Sequence, residues 1–302
     1  MIQSGRFEGV SMGNIFAKMK WPEINQAAAE NRVVVIPAGT LEDHGLHMPV
    51  DTDVVIAEEI CRRLTTKMSD VTVLFPPIIH GYSPHHIDGP GVITIRWDTF
   101  IESTSQILSS LGYHGFRKVL IVNGHGSNVP VLDVATRQAN VQNPDMQCAF
   151  TSWWSLKEVQ DVVRKFRESN WTGHACELET SAYLAIADEY VDMSKSVEDF
   201  NPYLTKHFWS DLASQTPEGE DFANPISLKE YWSTLCETGT MGDPSSSTAE
   251  KGELMLSTAA RELEEIIVEL RARPIRPRKK HQSQEAQERN QRLHGEIPRF
   301  TN

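Results

Sequence analysis

The sequence predicts an α/β fold, a largely parallel sheet with helices on both faces. Three observations carry this. Short apolar, β-branched runs alternate with stretches of helical periodicity from Val33 to Leu184, the pattern of βαβ units. Two of those runs end abruptly in polar loops rich in His, Asp and Glu. In open sheets of this kind, ligands bind beyond the carboxyl ends of the strands. Finally, 302 residues with 39% hydrophobic content can bury a full core, as one large domain or two smaller ones.

In chain order, Met1 to Trp21 is weakly patterned. Pro22 to Asn31 reads as a short helix with proline in its first turn. Val33 to Ile36 is a buried strand that stops at Pro37-Ala38-Gly39. The loop that follows carries Glu42, His44, His47, Asp51 and Asp53. Val54 to Leu64 has helical spacing, and Asp51, Thr52 or Asp53 can cap it. Val71 to Phe75 is a second strand, stopped by Pro76-Pro77. Ile78 to Gly91 is a loop rich in Gly, Pro and His, and Val92 to Ile95 reads as a short strand. Phe100 to Leu111 is an amphipathic helix ended by Gly112. Lys118 to Val122 is a buried strand running into Asn123-Gly124-His125-Gly126-Ser127-Asn128, with a helix expected from Val129 to Asn140. Cys148 to Trp154 reads as a further strand. Adjacent Trp153 and Trp154 would then point to opposite faces, either both in the core or one of them flooring a pocket.

The third polar motif is Gly173-His174-Ala175-Cys176-Glu177-Leu178-Glu179-Thr180-Ser181, leading into a helix. Glu177 and Glu179 fall in or near its first turn, where the helix dipole favours carboxylates. Asp192 to Asp221 is irregular, with Pro202 and Pro217, and Gly239 to Ser247 is rich in turn residues. Thr248 to Ala272 is a strong amphipathic helix with a hydroxyl cap. Residues 274–302 are polar and basic, and read as a solvated tail or an arm over a neighbouring subunit, outside a single domain of residues 1–273.

The formal net charge of −12 argues against nucleic acid as the main partner, since phosphate binding needs a basic face. The cysteines Cys61, Cys148, Cys176 and Cys236 form no CxxC pair and read as free thiols. There is no signal-like N-terminal segment and no run of the roughly 20 apolar residues that cross a bilayer. The expectation is a cytoplasmic protein without a membrane partner.

Five potential ligands within a dozen residues, straight after a buried strand, are not a packing requirement. Imidazole and carboxylate together suit zinc, manganese or iron. Glu42 and His44, two apart, leave an extended chain on the same side. Two glycines bracket His125, so the backbone there can turn tightly and approach a ligand. A carboxylate from the third motif would complete a site for two metals, with Asp53 as the natural bridge. Two such ions share a water as nucleophile and bind the substrate oxygen.

The pattern GTLEDHGLHMPVDTD, followed by SPHHIDGPG, NGHGSN, HACELETS and GDPSSSTAEKG, resembles the creatininase (creatinine amidohydrolase) family from about Val33 to Leu270. That resemblance implies a three-layer α/β/α fold and a binuclear metal centre holding two divalent ions, zinc first, with manganese or iron as alternatives. Glu42, Asp53 and His125 match the ligands of one metal. His44 and Asp53 match those of the other, with Asp53 shared. Creatininase has a glutamate where this chain has Ser127. Members with the Gly-His-Gly form use the glutamate of the E-T-S triplet, which assigns Glu179 rather than Glu177. His174 matches the catalytic histidine, and Trp154 and Trp171 stand near the pocket tryptophans. Ser83, His86, Gly126 and Ser127 complete the expected substrate side.

The departures concern the substrate. Gly173 replaces an acidic residue, Trp171 is three residues ahead of His174 rather than four, Cys176 replaces a glycine and Val92 a threonine. The family spans creatininase, formamide deformylases, a peptidase of mycofactocin maturation and hydrolases that open keto-inositol rings. The expected activity is metal-dependent attack of water on a carbonyl carbon of a small molecule. The bond is the C–N bond of a cyclic amide or, alternatively, the C–C bond of a cyclic polyol ketone. A silent metal-binding assembly protein is the remaining alternative, and a homo-oligomer, hexameric by resemblance, is expected.

Overall fold

The computed structural model describes residues 14–201, 205, 207–208, 211–213, 226–279 and 281–294. Pro202 and Pro217 lie outside the described residues. The apolar runs form the sheet. β1 (Val33–Ala38) lies between β2 (Thr72–Leu74) and β3 (Lys118–Asn123), and β4 (Gln147–Ser152) pairs with the far side of β3. Every pairing is parallel.

Side chains alternate across a strand, and this divides the core in two. Val33, Val35, Leu120 and Val122 face one side, packed with residues of α2 (Thr52–Lys67), α5 (Lys157–Phe166), α6 (Glu177–Ala187) and α7 (Ala249–Ala272). Val34, Ile36, Val119 and Ile121 face the other, with α1 (Trp21–Ala29), α3 (Trp97–Tyr113) and α4 (Asn128–Gln142). The protein is therefore a three-layer α/β/α structure. Each fully buried Val, Leu or Ile contributes about 1.5–3 kcal/mol relative to exposure, so two-sided covering explains why the strands are continuously apolar.

The parallel sheet sends β1 and β3 out at the same edge, with Ala38 in register with Asn123. Two glycines then bring both strand ends onto the first turn of α2. A Cβ on Gly39 would lie 2.7 Å from the Val54 amide nitrogen, and one on Gly124 would lie 2.2 Å from the Asp53 carbonyl oxygen. No side chain fits between them, so three backbone segments meet where Asp53 begins its helix.

Several expectations need correction. The Val92–Ile95 strand is reduced to isolated bridges, Leu41 with Ile93 and Gly81 with Thr94, in a half-exposed loop. β4 ends at Ser152, and Trp153–Ser155 is a 3-10 turn, so strand alternation does not apply to the tryptophan pair. Trp153 is buried in the core, Trp154 packs against the same cluster, and their rings stand perpendicular at 5.7 Å. α5, not foreseen, buries Val159 and Val163 on one face, four residues apart. β5 (Thr172–His174), also unforeseen as a strand, pairs antiparallel with β6 (Met241–Gly242). α8 (Gln284–His294) follows the exposed residues 276–279. Among the described residues no helix is long and apolar enough to cross a membrane.

Candidate metal centre

The loop after β1 delivers Glu42 and His44, the first turn of α2 delivers Asp53, and the turn after β3 delivers His125. All four are buried. His125 Nδ1 lies 3.1 Å from Glu42 Oε1 and 3.2 Å from Asp53 Oδ2. His44 Nε2 lies 3.2 Å from Asp53 Oδ1. The two oxygens of Asp53 thus face two different imidazoles.

The second region comes from β5 and α6. His174 Nδ1 is 3.6 Å from Glu42 Oε1, and its ring lies 4.1 Å from that of His44. Glu179 joins His44 and His174 in a cluster whose potential ligand atoms all lie within 4.8 Å of one another. Ala175, between His174 and the helix, has φ of 48°, a left-handed conformation that costs an L-residue about 1–2 kcal/mol. That turn aims its amide at Glu179 Oε2, 2.7 Å away. The rival acid has a different environment. Glu177 accepts from the Glu168 and Ser169 amides and from Lys251 Nζ at 2.7 Å. Its carboxylate is occupied in joining α6 to α7.

Backbone carbonyls fix which ring nitrogens point inward, because a carbonyl can only accept. His125 Nε2 donates to Tyr82 O at 3.2 Å, His44 Nδ1 to Glu42 O at 3.2 Å, and His174 Nε2 to Asp43 O at 2.5 Å. The opposite nitrogens face the acids. Outer groups that orient a ligand in this way are a regular part of metal sites. Ser83 Oγ donates to Glu42 Oε2 at 2.5 Å.

This donor set fits divalent cations. His44 Nε2 and Asp53 Oδ2 are buried without a hydrogen-bond partner, an arrangement that costs on the order of 1–3 kcal/mol per group unless something else satisfies it. The electrostatics ask for positive charge. Burial disfavours the charged form of His44, but Asp53 outweighs it and pushes the imidazole up to about 10. Burial opposes the charge of His125 likewise, yet Glu42 and Asp53 push it up to about 10. Glu179 is pushed up to about 8 by burial, with His44 pulling the other way. Glu42, despite burial, is held well below the usual carboxylate range by His125 and His86.

The expected substrate-side residues separate. His86 stands between Asp43 Oδ1 at 3.6 Å and Glu42 Oε2 at 3.8 Å, with neither ring nitrogen hydrogen-bonded. Ser127 Oγ lies 3.1 Å from His85 Nε2. A Cβ on Gly126 would meet nothing within 4 Å, so this side of the cluster is open. Ser83 is turned toward Glu42, and Trp154 belongs to the core packing. Trp171 stacks on Phe200 at 3.7 Å and covers Gly173, where a Cβ would fall 1.9 Å from the indole. The indole against the site imidazoles is Trp232, 3.7 Å from the His86 ring and 4.6 Å from that of His174.

Three contributors were not picked out from sequence. Trp232 follows Tyr231 in a stretch without periodicity and carried no signal. Asp43 lay inside the first motif, and its role divides between a carbonyl for His174 and a carboxylate for His86. Thr180 holds His47 Nε2 at 2.9 Å, linking the first loop to α6.

The profile of the family described as creatinine amidohydrolase matches residues 17–267. The chain belongs to the creatininase family. Creatinine amidohydrolase of Pseudomonas putida is 26% identical over 273 residues, covering 83% of this chain and 95% of the relative. 3-Dehydro-scyllo-inosose hydrolase of Thermotoga maritima is 26% identical over 194 residues, 62% of this chain and 60% of the relative. The mycofactocin precursor peptide peptidase of Mycobacterium ulcerans is 28% identical over 229 residues, 72% and 78% of the two chains. A crystal structure of creatininase superposes with a TM-score of 0.72 at 22% identity, over 87% of this chain and all of that one. Creatininase structures of similar fold are described as a Zn-Zn type and a Mn form. The protein is thus a creatininase-family hydrolase with a buried His/Glu/Asp cluster at the carboxyl edge of its sheet.

Proposed function

We infer that the protein is a binuclear metal-dependent hydrolase that cleaves a C–N bond of a small cyclic amide. The observation that carries this is Asp53, buried, with one oxygen toward His44 and the other toward His125. Glu42, Asp53 and His125 would hold one divalent ion, and His44, Asp53 and Glu179 the other, with zinc or manganese as the metal. Bound there, the pair would supply an activated water and polarise the carbonyl of the substrate.

The chain's own residues do the rest. His174 gives its Nε2 hydrogen to the Asp43 carbonyl, so Nδ1 presents a lone pair to the site. Burial, then His44 and His86, hold this imidazole well below its ordinary value, so it rests neutral. Nδ1 accepts a proton from the attacking water and returns it to the leaving nitrogen, the two halves of general base and acid catalysis. His86 and the Ser127 hydroxyl orient the substrate beside the open flank at Gly126.

Opening of a cyclic polyol ketone is the second reading. The inosose hydrolase relative is as similar in identity as the creatinine hydrolase, and Gly173 lacks the acid that creatininase has there. Products separate the two: an amine and a carboxylate, or an opened keto acid. The test is elemental analysis of the purified protein with activity before and after chelation. Near two divalent ions per chain, with activity lost and then restored by zinc or manganese, is expected. An active preparation without stoichiometric metal would overturn the reading.

The catalytic unit is taken as residues 1–273, and the protein as a cytoplasmic homo-oligomer. Leu46, Ile93 and Trp97 support assembly, being 58%, 47% and 57% exposed. Light scattering at micromolar concentration that returns a monomer would refute assembly.

A further inference from the structure

We propose that Trp232 is the cover of the catalytic cleft, and the residue that sets substrate size: it admits a compact ring and excludes an extended peptide chain. The inference rests on the hydrolase reading above and deepens it, since the relatives include enzymes named for small rings and for a peptide.

Trp232 reaches the site from outside the sheet. Its indole centroid is 3.7 Å from that of His86, 5.5 Å from that of His85 and 4.6 Å from that of His174, the last two edge-on. These are contact distances between rings, so the indole closes one side of the space in front of the proposed catalytic imidazole. At Gly126, beyond the His85 ring that Trp232 meets edge-on, a Cβ would meet nothing within 4 Å, so that flank is open. A compact ring fits an approach from one flank. An extended chain, which needs room on both sides of its scissile bond, would run into the indole.

The cover is held at both ends. Ser233 Oγ donates to Asp88 Oδ2 at 2.6 Å, tying the tip to the loop that carries His86. Behind the tip, Cys236 is buried, and Asp199 Oδ2 accepts from the Glu237 and Thr238 amides at 2.7 Å each. Tyr231, next to Trp232, is 57% exposed. An indole between a solvent-facing tip and an anchored base is placed to seal the cleft while its flanks stay fixed. Excluding water strengthens every electrostatic interaction inside a site.

The experiment uses the full chain loaded with zinc. Release of zinc to a chromogenic chelator is followed for wild type, W232F, W232A and S233A, alongside turnover of a five-membered lactam and of a short peptide amide. W232A should start with the same zinc content and release it about 10-fold faster or more, the scale on which groups around a metal site alter its retention. It should also gain relative activity on the peptide. W232F should stay near wild type, and S233A, which loosens the tip without touching the indole, should lie between. Equal release rates and unchanged size selectivity in W232A would overturn the cover while leaving the metal centre intact. A wild-type chain that holds no zinc or manganese would overturn the hydrolase reading and this inference with it.

Discussion

Two regions meet at the candidate centre, and they are built in opposite ways. At the ends of β1 and β3, acids and imidazoles face one another with few partners of their own. Asp53 and His44 each keep a buried atom without a hydrogen bond. At the start of α6, carboxylates are held by the protein itself. Glu177 has two backbone amides and an ammonium, whereas Glu179 takes one amide, from a strained alanine, and turns toward His44. The contrast separates a carboxylate with two amides and an ammonium from one with a single amide. Residue type and burial do not distinguish them; the partners already taken do.

The largest effect should come from the first region. Asp53→Ala removes the group facing both imidazoles. Activity should fall by well over the roughly 100-fold that marks the upper range for outer groups, with metal content falling in parallel. Steady-state rates and elemental analysis check this, and full metal retention would break the contrast.

Lys251→Met tests the second region. It leaves Glu177 buried without its ammonium, while the Glu168 and Ser169 amides remain. The expected cost is on the order of 3 kcal/mol, the low end for a broken buried pair, read from denaturant unfolding. Metal content should not change. Loss of metal without loss of stability would mean that Glu177 belongs to the centre.

A smaller effect is expected where the regions join. His47→Ala breaks the link to Thr180, and activity should drop about 10–100-fold with both ions kept. The Asp53 and His47 variants compared on one preparation sharpen the assignment, since equal losses would remove the difference between ligand and support.

The sequence made the first region legible because short local chain delivers its groups. Glu42, His44 and Asp53 share one loop and helix start, and the Asn-Gly-His-Gly turn follows its strand directly. The largely parallel sheet and its two-sided covering followed from runs such as Val33–Ile36, whereas the strand order is set by pairings that no single run reveals. The second region was less legible because its meaning lies in distant neighbours. What occupies Glu177 is Lys251, 74 positions away. Trp171, expected at the pocket, packs against Phe200 and over Gly173. Trp232, from a stretch without periodicity, meets the imidazoles instead. β5 and β6 were too short to announce themselves, at three and two residues.

The most direct test of the central claim is metal stoichiometry in Glu179→Gln and Glu177→Gln, measured side by side with unfolding midpoints. Glu179→Gln should lose an ion and its activity while its fold persists. Glu177→Gln should keep both ions and unfold at lower denaturant. If Glu177→Gln empties the site and Glu179→Gln leaves it full, the division of the two carboxylates is wrong.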